Sequence, residues 1–286
     1  MKNGPLLGGE AAQAAVLSRS ISPTLRVVIW LLATGLFSLS VAFWYRGIVV
    51  GDVPESTIPM VAIEQGTPQC AYPARAWTAV PPLYPVIGAG VMAATGLGTS
   101  NTGLFHYAGP QCSRVNPKEA LYSVFPLVLI GALGWPVVLA GFIALLAAAG
   151  KARTLWEGLG LCLIAATPAV ASTLVRYLHP EDLFAMGLIL ASTAAVIRSR
   201  WMTAGVCIGV ACCFKQFALL AAVPLLIAAP RRDAVRFALS AVGSVAVILV
   251  PLGVVMGGGM FQVMRGMDAT PSLAGTAIVG RLGLHG

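Results

Sequence analysis

Charge is what this sequence has least of. Its 286 residues include 18 Lys and Arg, 10 Asp and Glu and 3 His, so charged residues make up 10%, against roughly 25% in an ordinary soluble domain. So few charges do not cover a water-facing surface of this size, which argues against a soluble enzyme. The 58% hydrophobic content argues against a disordered tail, and six cysteines are too sparse for a disulfide-dense secreted domain. Long basic runs are also missing. The net charge of +8 comes from bases standing singly or in pairs between apolar segments, the pattern of topology signals and not of a phosphate-binding stripe. No nucleic-acid partner is expected. The chain has no phosphate loop, no Rossmann glycine motif, no serine nucleophile elbow, no internal repeat, and no histidine spaced from Cys207, Cys212 and Cys213 as a zinc site requires.

Long apolar runs remain. The sequence predicts an all-α, polytopic membrane bundle, in which each spanning helix satisfies its own backbone. Seven spans are expected, at Val27–Tyr45, Leu121–Ala149, Leu155–Val175, Leu183–Ile197, Met202–Phe214, Phe217–Ala229 and Val235–Met256. Val27–Tyr45 is too long for a signal-peptide core and ends in the aromatic cluster Phe43-Trp44-Tyr45, as an interfacial belt would. Pro126 and Pro136 are expected to kink or tilt Leu121–Ala149. Met202–Phe214, thirteen residues, gives only about 20 Å, so this helix and its partner are short, tilted or stop below the outer surface. A large outer loop, 46–119, follows the first span. It carries Leu83–Leu97, short and holding three glycines, read as a helix on or dipping into the interface.

Orientation follows from the basic clusters. With a cytoplasmic N-terminus, Lys151 and Arg153, Arg198 and Arg200, and Arg231, Arg232 and Arg236 all fall inside. Ten bases and three acids are then inside, and eight bases and seven acids outside, the bias of the positive-inside rule. If Leu83–Leu97 crossed fully, all the later clusters would move outside. The expected organisation is a cytoplasmic tail 1–26, a membrane domain 27–256 and an outer segment 257–286.

This topology gathers unusual polar residues on one face. Asp52 and Glu55 follow the first span, His179-Pro180-Glu181-Asp182 forms one outer turn, and Lys215-Gln216 forms another. Each has an ordinary alternative: a loop acid for Asp52, a helix-end His179, and first-turn acids for Glu181 and Asp182. Lys215 is harder to set aside. It closes an apolar stretch, where a lysine must snorkel or meet an anion. Cys162, Cys207, Cys212 and Cys213 lie in spans and read as packing residues. Cys70 and Cys112 share the outer loop, as a disulfide or as two thiols; a bridge there would close about forty residues and add roughly 3–4 kcal/mol.

Several elements together resemble a family. They are the outer Asp52, the loop Gly66-Thr67-Pro68-Gln69-Cys70-Ala71-Tyr72, Pro81-Pro82-Leu83-Tyr84-Pro85 before the interfacial helix, the polar outer turn 179–182, the basic turn Arg198–Arg200, the Gly205-x-x-x-Gly209 span ending in Lys215, and Pro224 before Arg231-Arg232. The chain is similar to the GT-C-type integral membrane glycosyltransferases, and within them to the bacterial polyprenol-phosphate-mannose-dependent mannosyltransferases. The stretch 178–232 carries most of the likeness. Where relatives often read Gly-Gln-x-Asn, this chain has His179-Pro180-Glu181-Asp182, which leaves donor or acceptor identity open. Relatives also carry more C-terminal spans, so the resemblance implies a chain that stops short of the family's usual length.

The resemblance implies transfer of a sugar, with mannose expected, from a polyprenyl-phosphate donor to a lipid-linked or cell-envelope glycan acceptor. The enzyme would be multi-pass in the plasma (inner) membrane and would work at its outer face. Asp52 is the expected catalytic base. Lys215, Arg176 and His179 are expected at the donor phosphate. Glu181, Asp182, Gln216 and Tyr84 are expected at substrate, Tyr84 beside the polyprenyl tail. No metal ligand is assigned, and a divalent metal is left open. The competing expectations are a transporter or lipid flippase, which would show repeated halves, and a non-catalytic membrane partner.

Overall fold

The computed structural model describes residues 20–44, 53–64, 66–72, 80–95, 124–175, 179–257 and 260. Among them every regular element is a helix. In chain order these are α1 (Pro23–Trp44), α2 (Val53–Glu64), a short 3-10 turn (Pro68–Cys70), α3 (Leu83–Thr95), α4 (Val124–Ala132), α5 (Gly134–Ala148), α6 (Leu155–Ala166), α7 (Pro168–Val175), α8 (Glu181–Ile197), α9 (Trp201–Phe214), α10 (Ala218–Ala228) and α11 (Arg231–Met256).

Three helical stretches are long and apolar enough to cross a bilayer: Pro23–Phe43, Val128–Ala148 and Arg231–Met256. Four shorter ones, α3, α6, α9 and α10, are apolar without that length. The faces that α1 and α11 turn outward carry exposed Leu, Val and Phe side chains, among them Leu31, Leu39, Phe43, Val242 and Val254. Lipid covers such faces at no hydrophobic cost.

One expected span is kinked, as its prolines predict, and another is broken. Leu121–Ala149 is interrupted at Leu133, between α4 and α5, while Val128–Ala148 remains one helical stretch. Pro136 has no N–H to return to the carbonyl one turn back, so the hydrogen-bond ladder lapses there. Leu155–Val175 divides at Thr167, whose backbone is extended (ψ 117°). Pro168 imposes this on the residue before it. The segment 46–119 also contains more structure than expected: α2, with Pro59 inside it, is a second helix beside α3.

Packing runs through small residues. α5 and α8 lie side by side, and a Cβ at Gly141 or Gly187 would strike the other helix's backbone. α9 and α11 meet likewise: a Cβ at Gly205 would collide with the Phe237 carbonyl, and one at Gly209 with that of Ala241. The Gly205-x-x-x-Gly209 motif thus brings two parallel helices into backbone contact. Ser192 donates to the Ala204 carbonyl at 2.9 Å, tying α8 to α9.

α1 is pinned at its start. Glu157, fully buried at the beginning of α6, accepts from Arg26 Nε at 2.6 Å, Trp30 Nε1 at 2.8 Å and the Arg153 N–H at 2.7 Å. Farther along, Trp135 stacks on Phe37 (centroids 4.3 Å apart) and donates to the Thr34 hydroxyl at 3.2 Å.

At the opposite end, α2, the 3-10 turn and α3 form a cap. Ala62, Cys70 and Tyr72 bury themselves against Met256 and Met260, just where α11 ends. Met60 of α2 fills the space that Gly88 leaves on α3.

Candidate active site

The helical hairpin α8–α9 brings the start of α8 and the end of α9 together. The chain reaches α8 through His179, whose N–H bonds the Thr173 carbonyl at 2.9 Å, and Pro180. Glu181 and Asp182 then occupy the first turn of α8, where the helix dipole favours anions. α9 returns to the same end and stops at Lys215, whose backbone is extended (φ −154°, ψ 131°).

Side chains separated by more than thirty residues therefore meet. Lys215 Nζ lies 2.7 Å from Glu181 Oε1, 3.3 Å from His179 Nδ1 and 3.3 Å from Asp182 Oδ1. His179 Nδ1 is 3.1 Å from Glu181 Oε1. One ring nitrogen cannot donate to Glu181 and accept from Lys215 at once, so these contacts represent alternative proton placements. The Glu181 side chain is fully buried. Its Oε2 is buried with no hydrogen-bond partner among the described residues; Asp182 Oδ1, also buried, faces the Lys215 ammonium at 3.3 Å.

The electrostatics follow. Burial penalises charge on Glu181, but the hydrogen bond with His179 and the Lys215 ammonium outweigh it and hold the carboxyl below its ordinary value. At Asp182 burial prevails over Lys215, and the carboxyl sits above its ordinary value. The hydrogen bond to Glu181 holds His179 above its ordinary value, against burial and the Lys215 charge. Burial works against the Lys215 charge too, yet Glu181 and Asp182 keep its ammonium more basic than usual. The cluster is thus an ammonium and a protonatable imidazole resting on one ionised carboxylate, with a second, more protonatable one beside them.

An aromatic layer lies beneath. Phe214, next to Lys215, stacks on Phe184 at 4.8 Å, and Tyr84 approaches Phe184 at 6.0 Å. Tyr84, expected beside a lipid tail, is fully buried in the protein core. Gln216 follows Lys215 and is exposed. Asp52, Arg176 and Cys112 lie outside the described residues. Cys70 is disulfide-bonded and sits in the cap, and the four span cysteines are free. No group of three or more His, Cys, Asp or Glu among the described residues is arranged to hold a metal ion.

One neighbour was missed as a site residue. Tyr72 is buried in the cap and donates to the Val80 carbonyl at 2.8 Å. Burial, and then the charge of Glu181, push its phenol well above the ordinary value. Its place in the Gly66–Tyr72 element was the only signal in the sequence.

The sequence matches the family model for Glycosyltransferase family 87 over residues 117–262, just over half of the chain. The match spans His179, Glu181, Asp182, Lys215 and Gln216, and begins after Asp52 and Tyr84. No curated protein and no solved structure matches the chain.

Proposed function

The chain belongs to glycosyltransferase family 87 and is a membrane glycosyltransferase; on that footing we propose that it transfers mannose from a polyprenyl-phosphate donor to a lipid-linked or cell-envelope glycan acceptor. In this reading residues 27–256 form the catalytic membrane domain, residues 257–286 an outer segment, and residues 1–26 a cytoplasmic tail. The protein sits in the plasma membrane, and the His179–Lys215 end faces outward.

The observation that supports it is the Lys215 ammonium, held 2.7 Å from buried Glu181 at the end of an apolar helical hairpin. A polyprenyl phosphate keeps its tail in lipid and its phosphate at the interface, so the enzyme must offer a cation at that depth. Lys215 supplies it, and protonated His179, with Arg176, adds to it. The buried carboxylates hold the ammonium in position before the donor arrives. Glu181 Oε2, which has no hydrogen-bond partner among the described residues, would accept from a sugar hydroxyl that enters the cluster.

The chemistry needs few further parts. The acceptor hydroxyl attacks the anomeric carbon while Asp52 takes its proton. The bond from the anomeric carbon to the phosphate oxygen breaks, with inversion, and polyprenyl phosphate leaves as an anion facing Lys215. Phosphate is a weak base, so departure requires charge neutralisation and no strong acid.

The test is transfer from radiolabelled polyprenyl-phosphate-mannose by purified protein in liposomes. Wild type should label an added glycolipid acceptor. Asp52→Asn and Lys215→Ala should abolish labelling while the protein still inserts. Normal turnover in Asp52→Asn removes that residue from the mechanism, and wild-type inactivity with this donor removes the donor.

A further inference from the structure

The end of the bundle away from Lys215 has a polar cavity of its own. There the turn between α8 and α9 meets the first turn of α11 around a space of about 300 Å³. The guanidiniums of Arg200 and Arg236, the Thr203 hydroxyl and the Trp201 ring line it. Asp233 is the acid of the lining, and Arg236 Nη1 already holds its Oδ1 at 3.1 Å. The charge of Arg200 is therefore left over within the cavity.

Two further features favour an anion. The first turn of α9, Trp201 to Thr203, lines the cavity, and α9 has no side-chain cap to occupy its N-terminal N–H groups. The rim is apolar on one side: Met202 is 63% exposed, and Trp201 belongs to the residue type that prefers the headgroup layer.

We propose that this cavity binds the phosphate of an anionic phospholipid headgroup in the leaflet at that end of the bundle. Arg200 presents a fork of donors that fits phosphate oxygens, Thr203 adds a hydroxyl, and Trp201 and Met202 meet the glycerol and upper acyl chain. A basic pocket at the membrane edge of a helical bundle suits such lipids. A soluble anion would make no use of the apolar rim. The site is separate from the sugar-donor reading and stands or falls without it.

Native mass spectrometry of the full chain, released from nanodiscs of phosphatidylcholine mixed with phosphatidylglycerol, tests this. Wild type should retain phosphatidylglycerol in preference to phosphatidylcholine, a comparison that needs no variant. Arg200→Ala/Arg236→Ala should lower that retention about tenfold or more. Arg198→Ala/Arg232→Ala removes equal charge on the same face, outside the cavity lining, and should retain the lipid. Equal retention of the two lipids by wild type overturns the proposal. Equal losses in the two double variants would show diffuse surface charge and overturn it too. Inorganic phosphate should not displace the lipid; full displacement at millimolar concentration would make the occupant a soluble anion.

Discussion

Lys215 has two roles that a single substitution confuses. Its ammonium compensates a carboxylate with no exposed surface, and breaking such a pair from one side costs about 3–5 kcal/mol. Lys215→Met should therefore lower the thermal midpoint in detergent as well as abolish transfer. Lys215→Met/Glu181→Gln removes both charges and should recover most of the midpoint without recovering transfer. If the double variant transfers sugar, the ammonium is structural and no donor site. His179 gives a pH signature in the same cluster, facing Glu181, Asp182 and Lys215. Its folded value is raised above the ordinary 6.5, first by the hydrogen bond to Glu181. A raised group contributes its stability in full below the ordinary value and loses it as pH rises through the folded one. The thermal midpoint should decline as pH rises above about 6.5, and KM for an anionic donor should rise over the same range. His179→Asn should flatten both limbs.

Helix contacts in this molecule depend on missing side chains more than on large ones. Gly205 and Gly209 admit the α11 backbone, whereas a Cβ at Gly243, on α11 itself, meets nothing within 4 Å. Gly205→Val should cost about 1–3 kcal/mol or more, read as loss of folded, monodisperse protein, while Gly243→Ala should be neutral or slightly stabilising. The pin on α1 behaves differently, because its groups are charged. Arg26→Met strands Glu157 and should destabilise by about 3 kcal/mol; Arg26→Met/Glu157→Leu should regain most of that in a thermal scan. Much of this level was not legible in the sequence. The uninterrupted runs that became α1 and α11 announced themselves, and the short α9 was expected. The kink at Leu133 was expected from Pro136, but the break at Thr167 arises from Pro168 acting on the residue before it, which average hydropathy hides. α2 was hidden by its mixed polarity and by Pro59. The Arg26–Glu157 pair joins residues 131 apart, and nothing in either local stretch names the other.

For the whole molecule, what carried over from the sequence was parity. Each apolar crossing reverses the chain, so the turns at 179–182 and 215–216 had to share an end, opposite Arg198–Arg200. That alone predicted that His179, Glu181, Asp182 and Lys215 would meet; which atoms touch depended on the closeness of α8 and α9, set by packing at Ser192 and Ala204. The same parity makes the molecule's orientation measurable. Three single cysteines in an otherwise cysteine-free chain suffice, at Asp52, Ser199 and Gln216. Ser199 and Gln216 are exposed, at the two ends of α9, so both substitutions leave the packed helix faces intact. A membrane-impermeant maleimide on intact cells should label Asp52→Cys and Gln216→Cys, and should reach Ser199→Cys only after the membrane is opened. Asp52 and Lys215 can act on one donor only if they share a leaflet. Labelling of positions 52 and 216 from opposite sides would separate the base from the cation by the thickness of the bilayer, and the proposed transfer would have no site in which to occur.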